Sequence, residues 1–86
     1  MKKRSPNYFK FIRALRKLRI KKRLTQKNVA GILQKNPSYV SKIELGRYIP
    51  DPIEFIDLMR VMKATETEIE NLIGIMMKDT RKRRNW

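Results

Sequence analysis

Cysteine and histidine are both absent from this chain of 86 residues. Without cysteine there is no disulfide, no thiolate metal site and no cysteine nucleophile. Without histidine the usual general base and the commonest zinc ligand are missing. Glycine occurs three times and proline four, too few for a series of tight hairpins or a phosphate-cradling loop. No uninterrupted apolar run approaches the roughly 18 residues of a membrane-spanning helix. The cationic start lacks the apolar stretch and small-residue cleavage site of a signal peptide, so a cytoplasmic, nucleoid-associated location is the expectation. Acids are scarce as well: 8 Asp and Glu stand against 22 Lys and Arg, for a net charge of +14. What remains is 41% hydrophobic, enough for one folded domain and no second core. No paired acids, metal-ligand set or activated nucleophile can be assembled. Neither a catalytic site nor a metal or cofactor is therefore expected, and a polyanion-binding module is.

The charge is unevenly laid out. Residues 1–23 hold eleven bases (Lys2, Lys3, Arg4, Lys10, Arg13, Arg16, Lys17, Arg19, Lys21, Lys22 and Arg23) and no acid. Glu44 is the only acid in residues 1–50, whereas residues 51–77 are net acidic, through Asp51, Glu54, Asp57, Glu66, Glu68 and Glu70. The last residues are basic again. One end of the molecule is built to meet an anion, and the later part faces something else. Residues 1–6 are expected to form a basic arm, 7–77 the domain and 78–86 a basic, flexible tail ending in a disordered Trp86. That tail has a plainer reading as a solvated charge run.

Apolar spacing predicts five helices and no strands. Tyr8, Phe11, Ile12, Leu15 and Leu18 recur at steps of three and four, which makes residues 7–22 an amphipathic helix with Asn7 as N-cap. Thr25 caps a second helix over about 26–33, with Val29, Ala30 and Leu33 inward. Gly31 inside it is tolerable if a neighbouring helix comes close. After a connection at 34–36, Asn36 reads as N-cap and Pro37 as the first residue of a third helix that ends at Leu45 before Gly46. Asp51 and Pro52 repeat that signature for a fourth helix, with Phe55, Ile56, Leu58, Met59 and Met62 inward. Thr65 and Glu68 form a capping box for the fifth, with Thr67 and Glu70 as the rival register. Its inward side is Ile69, Leu72, Ile73 and Met76.

Helices two and three, joined by so short a turn, form a unit whose second helix can project into a major groove. On that helix Val40 and Ile43 should face the core. Ser38, Ser41 and Lys42 share the opposite face, where short hydroxyls and one ammonium suit base edges and phosphates. Tyr39 has two equal readings, packing on the second helix or donating to a phosphate.

At these residues the sequence resembles the lambda-repressor and Cro type (XRE family) of helix-turn-helix domain. The likeness rests on Leu24-Thr25-Gln26, Val29-Ala30, Leu33, the run Ser38-Tyr39-Val40-Ser41-Lys42-Ile43-Glu44-Leu45-Gly46, and Pro50. The resemblance spans roughly residues 11–62. It implies an all-α, five-helix lambda-repressor-like bundle that binds operator DNA in bacteria or their phages, usually as a symmetric dimer. It further implies that Gln26 touches a phosphate and braces the recognition helix, and that Pro37, Ser38, Ser41 and Lys42 face base edges. Arg47 and Tyr48 would lie on the DNA backbone, and Arg19 would pair with Glu44. Lys27, Lys35, Asn36 and Tyr39 complete the expected DNA contacts. The chain departs from the family at Gln34 and Lys35, where a glycine and an aliphatic residue usually stand, so a non-glycine is expected at positive φ. Gly31 replaces a residue that is often charged, and Pro37 replaces a base-reading glutamine.

The fifth helix carries Ile75 and Met77 beyond its stripe of Ile69, Leu72, Ile73 and Met76, and these six are the candidates for a homodimer surface. A sequence-specific transcriptional repressor on a palindromic double-stranded operator, with no membrane partner, is thus the leading expectation. A DNA-binding antitoxin that meets its toxin through the late helices is the alternative. A basic RNA- or membrane-surface-binding module is a more distant one.

Overall fold

Three helix starts in this chain are written as acceptor side chains three residues ahead of the amide they satisfy. In the computed structural model, which describes residues 6–78, the elements are α1 (Pro6–Lys21), α2 (Gln26–Ile32), α3 (Tyr39–Glu44), α4 (Pro52–Val61) and α5 (Glu66–Met77). Among the described residues there is no strand. The expected arm through Ser5 and the tail from Asp79 to Trp86 lie outside them. Thr25, Asp51 and Thr65 each accept from the amide three residues on, and Asn28, Glu54 and Glu68 each return a bond to the cap's own N–H. These are three reciprocal capping boxes, the first closed by an asparagine. The Thr65 register excludes the Thr67–Glu70 one.

Two predicted caps are corrected. Asn7 lies inside α1, because Pro6 supplies the first helical residue without needing a donor. Its amide instead donates to the Ile75 carbonyl, in the last turn of α5, at 2.6 Å. At α3, regular helix begins at Tyr39 and not at Pro37. The Asn36 carboxamide oxygen accepts from the Ser38 N–H and hydroxyl, both at 2.9 Å, while the Asn36 carbonyl takes the Tyr39 N–H. That local turn is tighter than a helical one, and it delays the helix by two residues.

Helix ends repeat one device. Arg23, Gln34, Gly46 and Lys63 all have positive φ, at 60°, 55°, 77° and 53°. In each case the next residue's amide bonds back across the last turn, as in Lys35 N–H to Ala30 O and Arg47 N–H to Lys42 O. Gln34 thus takes the left-handed position expected of it, and only one of the four stops is a glycine. Where Gly46 turns, an added Cβ would sit 2.9 Å from Phe9 Cε1, so α1 closes on the loop after α3. Gly31, by contrast, has nothing within 4 Å of such a Cβ; no helix approaches it, contrary to expectation.

The core gathers Tyr8, Phe11, Ile12, Leu15 and Leu18 of α1, Val29 and Ala30 of α2, Val40 and Ile43 of α3, Leu58 and Met59 of α4 with Met62, and Leu72 of α5. Three inward assignments change. Ile56 is exposed, and on α5 the buried side runs through Leu72 with Ile69 and Ile75 half-buried, leaving Ile73 and Met76 outside. The reason is α1, which packs along α5. It selects the three-residue stripe 69–72–75 over the 69–73–76 stripe, which is also apolar but faces α4 and solvent.

Candidate nucleic-acid interface

Glu44 sits at the last turn of α3, where the helix dipole disfavours a carboxylate. Its side chain is 5% exposed, and Arg19 Nε of α1 lies 2.7 Å from Oε2. Arg19 Nη2 completes a two-pronged contact at 3.0 Å to Oε1, and Nη1 donates to Leu24 O at 2.8 Å. Gln26, the first residue of α2, adds its amide to Oε1 at 2.9 Å, and Arg16 Nε stands 3.9 Å away. One carboxylate therefore joins α1, the α1–α2 loop, α2 and α3. The sole acid of the basic half is covered by cations and an amide.

Outward from this joint, Lys27, Lys42 and Arg47 are exposed, as are Asn36 and Pro37. Ser38 and Ser41 are half-buried; the Ser41 hydroxyl donates to Ser38 O at 3.3 Å, and the Ser38 hydroxyl is engaged by Asn36. Both serines keep lone pairs to offer while their hydrogens are committed internally.

A second joint went unread in the sequence. Glu54, in the first turn of α4, closes its own capping box at Asp51 N–H, 2.8 Å away. It also receives the Tyr48 hydroxyl, 2.8 and 2.9 Å from its two oxygens, and the Tyr39 hydroxyl at 3.2 Å. Tyr39 therefore points its donor at Glu54, rather than packing only on α2. The two rings lie 5.8 Å apart, and Lys35 Nζ stands 5.3 Å from the Tyr39 ring centroid and 3.9 Å from Glu54 Oε2. The amide of Asp51 and the Tyr48 hydroxyl hold the Glu54 carboxyl below its usual range. Burial and Glu54 together push the Tyr39 phenol up. An Asp-Pro-x-Glu spacing signals the box; nothing in the linear sequence signals the tyrosines.

Not all of the basic first helix is available. Lys21 and Lys22 reach Glu68 at 2.8 and 3.0 Å, pinning the end of α1 to the start of α5. The two lysines and the Thr65 amide hold the Glu68 carboxyl down at about 2. Between α4 and α5 lies an open apolar groove of about 460 Å³, lined by Phe55, Ile56, Met59, Ile69 and Ile73 together with Arg60 and Lys63. No described helix is long and apolar enough to cross a membrane.

A short helix, a turn of a few residues and a second short helix with a basic, acid-free outer face define a DNA-binding helix-turn-helix. Residues 11–72 match the profile of the helix-turn-helix domain family, in its lambda-repressor (XRE) type, and the chain belongs to that family. No curated protein and no solved structure matches it.

Proposed function

We propose that the chain is a sequence-specific transcriptional regulator, acting as a repressor, that lays α3 in the major groove of a palindromic operator. The observation that carries this reading is the neutralised Glu44. With that carboxylate covered by Arg19 and Gln26, Lys27, Lys42 and Arg47 face outward with no exposed acid in the first fifty residues. In this reading Lys42, Ser38 and Ser41 meet base edges and Pro37 and Asn36 flank them. Gln26, Lys27, Lys35, Tyr39, Arg47 and Tyr48 lie along phosphates. The net charge of +14 supplies affinity that falls steeply with salt. The protein works in the cytoplasm, at the nucleoid.

A homodimer explains the other face. Ile56, Ile73, Met76 and Met77 are exposed on α4 and α5, in the acidic part of the chain, where two protomers meet with least repulsion. A second reading gives the same α4–α5 groove to a toxin, making the chain a DNA-binding antitoxin; the apolar lining of that groove, in the net acidic part of the chain, favours it.

Selection of bound duplexes from a random pool tests the proposal. A palindromic consensus is the expected result. With it, Lys42→Ala and Ser38→Ala should each lower the ratio of consensus to random binding by about tenfold. If both variants leave that ratio unchanged, α3 does not read sequence.

A further inference from the structure

Tyr39, Tyr48 and Lys35 stand at the edge of the helix-turn-helix where phosphates are expected, yet all three turn toward one acid. Each phenol has a single hydrogen, and both hydrogens are aimed at Glu54, 2.8 Å from Tyr48 and 3.2 Å from Tyr39. The carboxylate is itself held by the Asp51 amide, and its side chain is only 15% exposed. Lys35 is drawn to the same group, 3.9 Å away, and over the Tyr39 ring. The cluster thus ties the turn, the start of α3, the loop after it and the start of α4 to one negative charge.

We infer that Glu54 is a positioning residue that withholds Lys35 and the Tyr39 and Tyr48 hydroxyls from indiscriminate phosphate binding. The inference rests on the DNA-binding reading above and specifies how that interface limits non-specific affinity. A chain of +14 binds any duplex through released counterions, and each added lysine–phosphate contact strengthens all sequences alike. An acid that engages donors at the edge of the interface lowers that shared part and leaves the base-reading face of Ser41 and Lys42 unaltered. Random DNA must compete with Glu54 for those donors. A matched operator, held in register by its base contacts, brings its phosphates up to those donors and can displace Glu54 where random DNA cannot.

Glu54→Gln is the informative change, because glutamine at this position still closes a capping box and keeps the side-chain shape while removing the charge. Thermal unfolding establishes that the variant is folded. Binding to a random-sequence duplex is then titrated across salt for wild type, Glu54→Gln, Lys35→Ala and the double variant, with Glu70→Gln of α5 as a remote loss of one negative charge. The expected result is about three- to tenfold tighter random-duplex binding for Glu54→Gln, with a logarithmic salt slope steeper by about 0.9, one phosphate's worth. The slope change should vanish in the Lys35→Ala background and be absent from Glu70→Gln. A folded Glu54→Gln protein with the wild-type slope overturns the inference. So does an equal gain in the Lys35→Ala background or in Glu70→Gln, which would make the effect one of net charge alone. If wild type binds no duplex at any salt, the DNA-binding reading falls and this inference with it.

Discussion

The guanidinium of Arg19 and the carboxylate of Glu44 form a two-pronged contact, 2.7 and 3.0 Å long, between α1 and the end of α3. Both side chains are below 10% exposed. A short helix such as α3, six residues long, has little stability of its own. This contact, the Gln26 amide and the burial of Val40 and Ile43 together set its pose.

Glu44→Ala should therefore destabilise the fold by about 3 kcal/mol, because Arg19 is left buried without its counter-charge. Replacing both partners by Leu and Met should recover much of that loss. Urea denaturation of the two variants measures the difference. Equal destabilisation by both would mean that the pair contributes through packing and not through charge.

Two glycines should respond in opposite directions. Gly31→Ala fills open space inside α2 and should stabilise by about 0.5–1 kcal/mol through helix propensity. Gly46→Ala places a Cβ 2.9 Å from Phe9 on a residue at φ +77°, and should destabilise by roughly 1–2 kcal/mol or more. Thermal unfolding reads both signs.

Acid should loosen the α1–α5 contact. The Glu68 carboxyl is held down at about 2 in the folded chain, below the roughly 4.3 of an unfolded glutamate. Its contribution is thus complete above about pH 4.5 and is lost as pH falls toward 2. Glu68→Gln should flatten the unfolding temperature of the protein across that window while shifting it little in shape above pH 5. An unchanged acid limb would assign the pH dependence to other carboxylates.

The exposed α5 residue Ile73 tests the proposed dimer. Ile73→Glu is expected to convert a sedimenting dimer to a monomer and to weaken binding to a palindrome while sparing an isolated half-site. A wild-type protein that sediments as a monomer at all concentrations, on and off DNA, would remove the dimer from the proposal.

Local rules made much of the fold legible. Thr25, Asp51 and Thr65 are caps whose acceptor and amide lie three residues apart, so the sequence carries both partners. The α1 stripe of Tyr8, Phe11, Ile12, Leu15 and Leu18 is buried as its spacing requires. The structure departs from these rules where two local solutions compete. Asn36 had a helix cap and a tight turn available, and the turn prevailed. Spacing put Ile73 on the inward side of α5 and Ile75 beyond it, and α1 admitted Ile75 instead.

The interface divides along the same line. Sequence by itself determined the helix count, the basic half, the two-helix unit with Ser38, Ser41 and Lys42 on one face, and, through family likeness, the pairing of Arg19 with Glu44. Those features depend on spacing within a turn or two, or on a pattern shared across many positions. Tertiary structure alone decided that Glu54 would gather Tyr39, Tyr48 and Lys35, that Lys21 and Lys22 would be drawn to Glu68, and which stripe of α5 would face outward. Each depends on how separate helices meet. A side chain that reaches across them finds its partner by distance in space, which spacing along the chain does not encode.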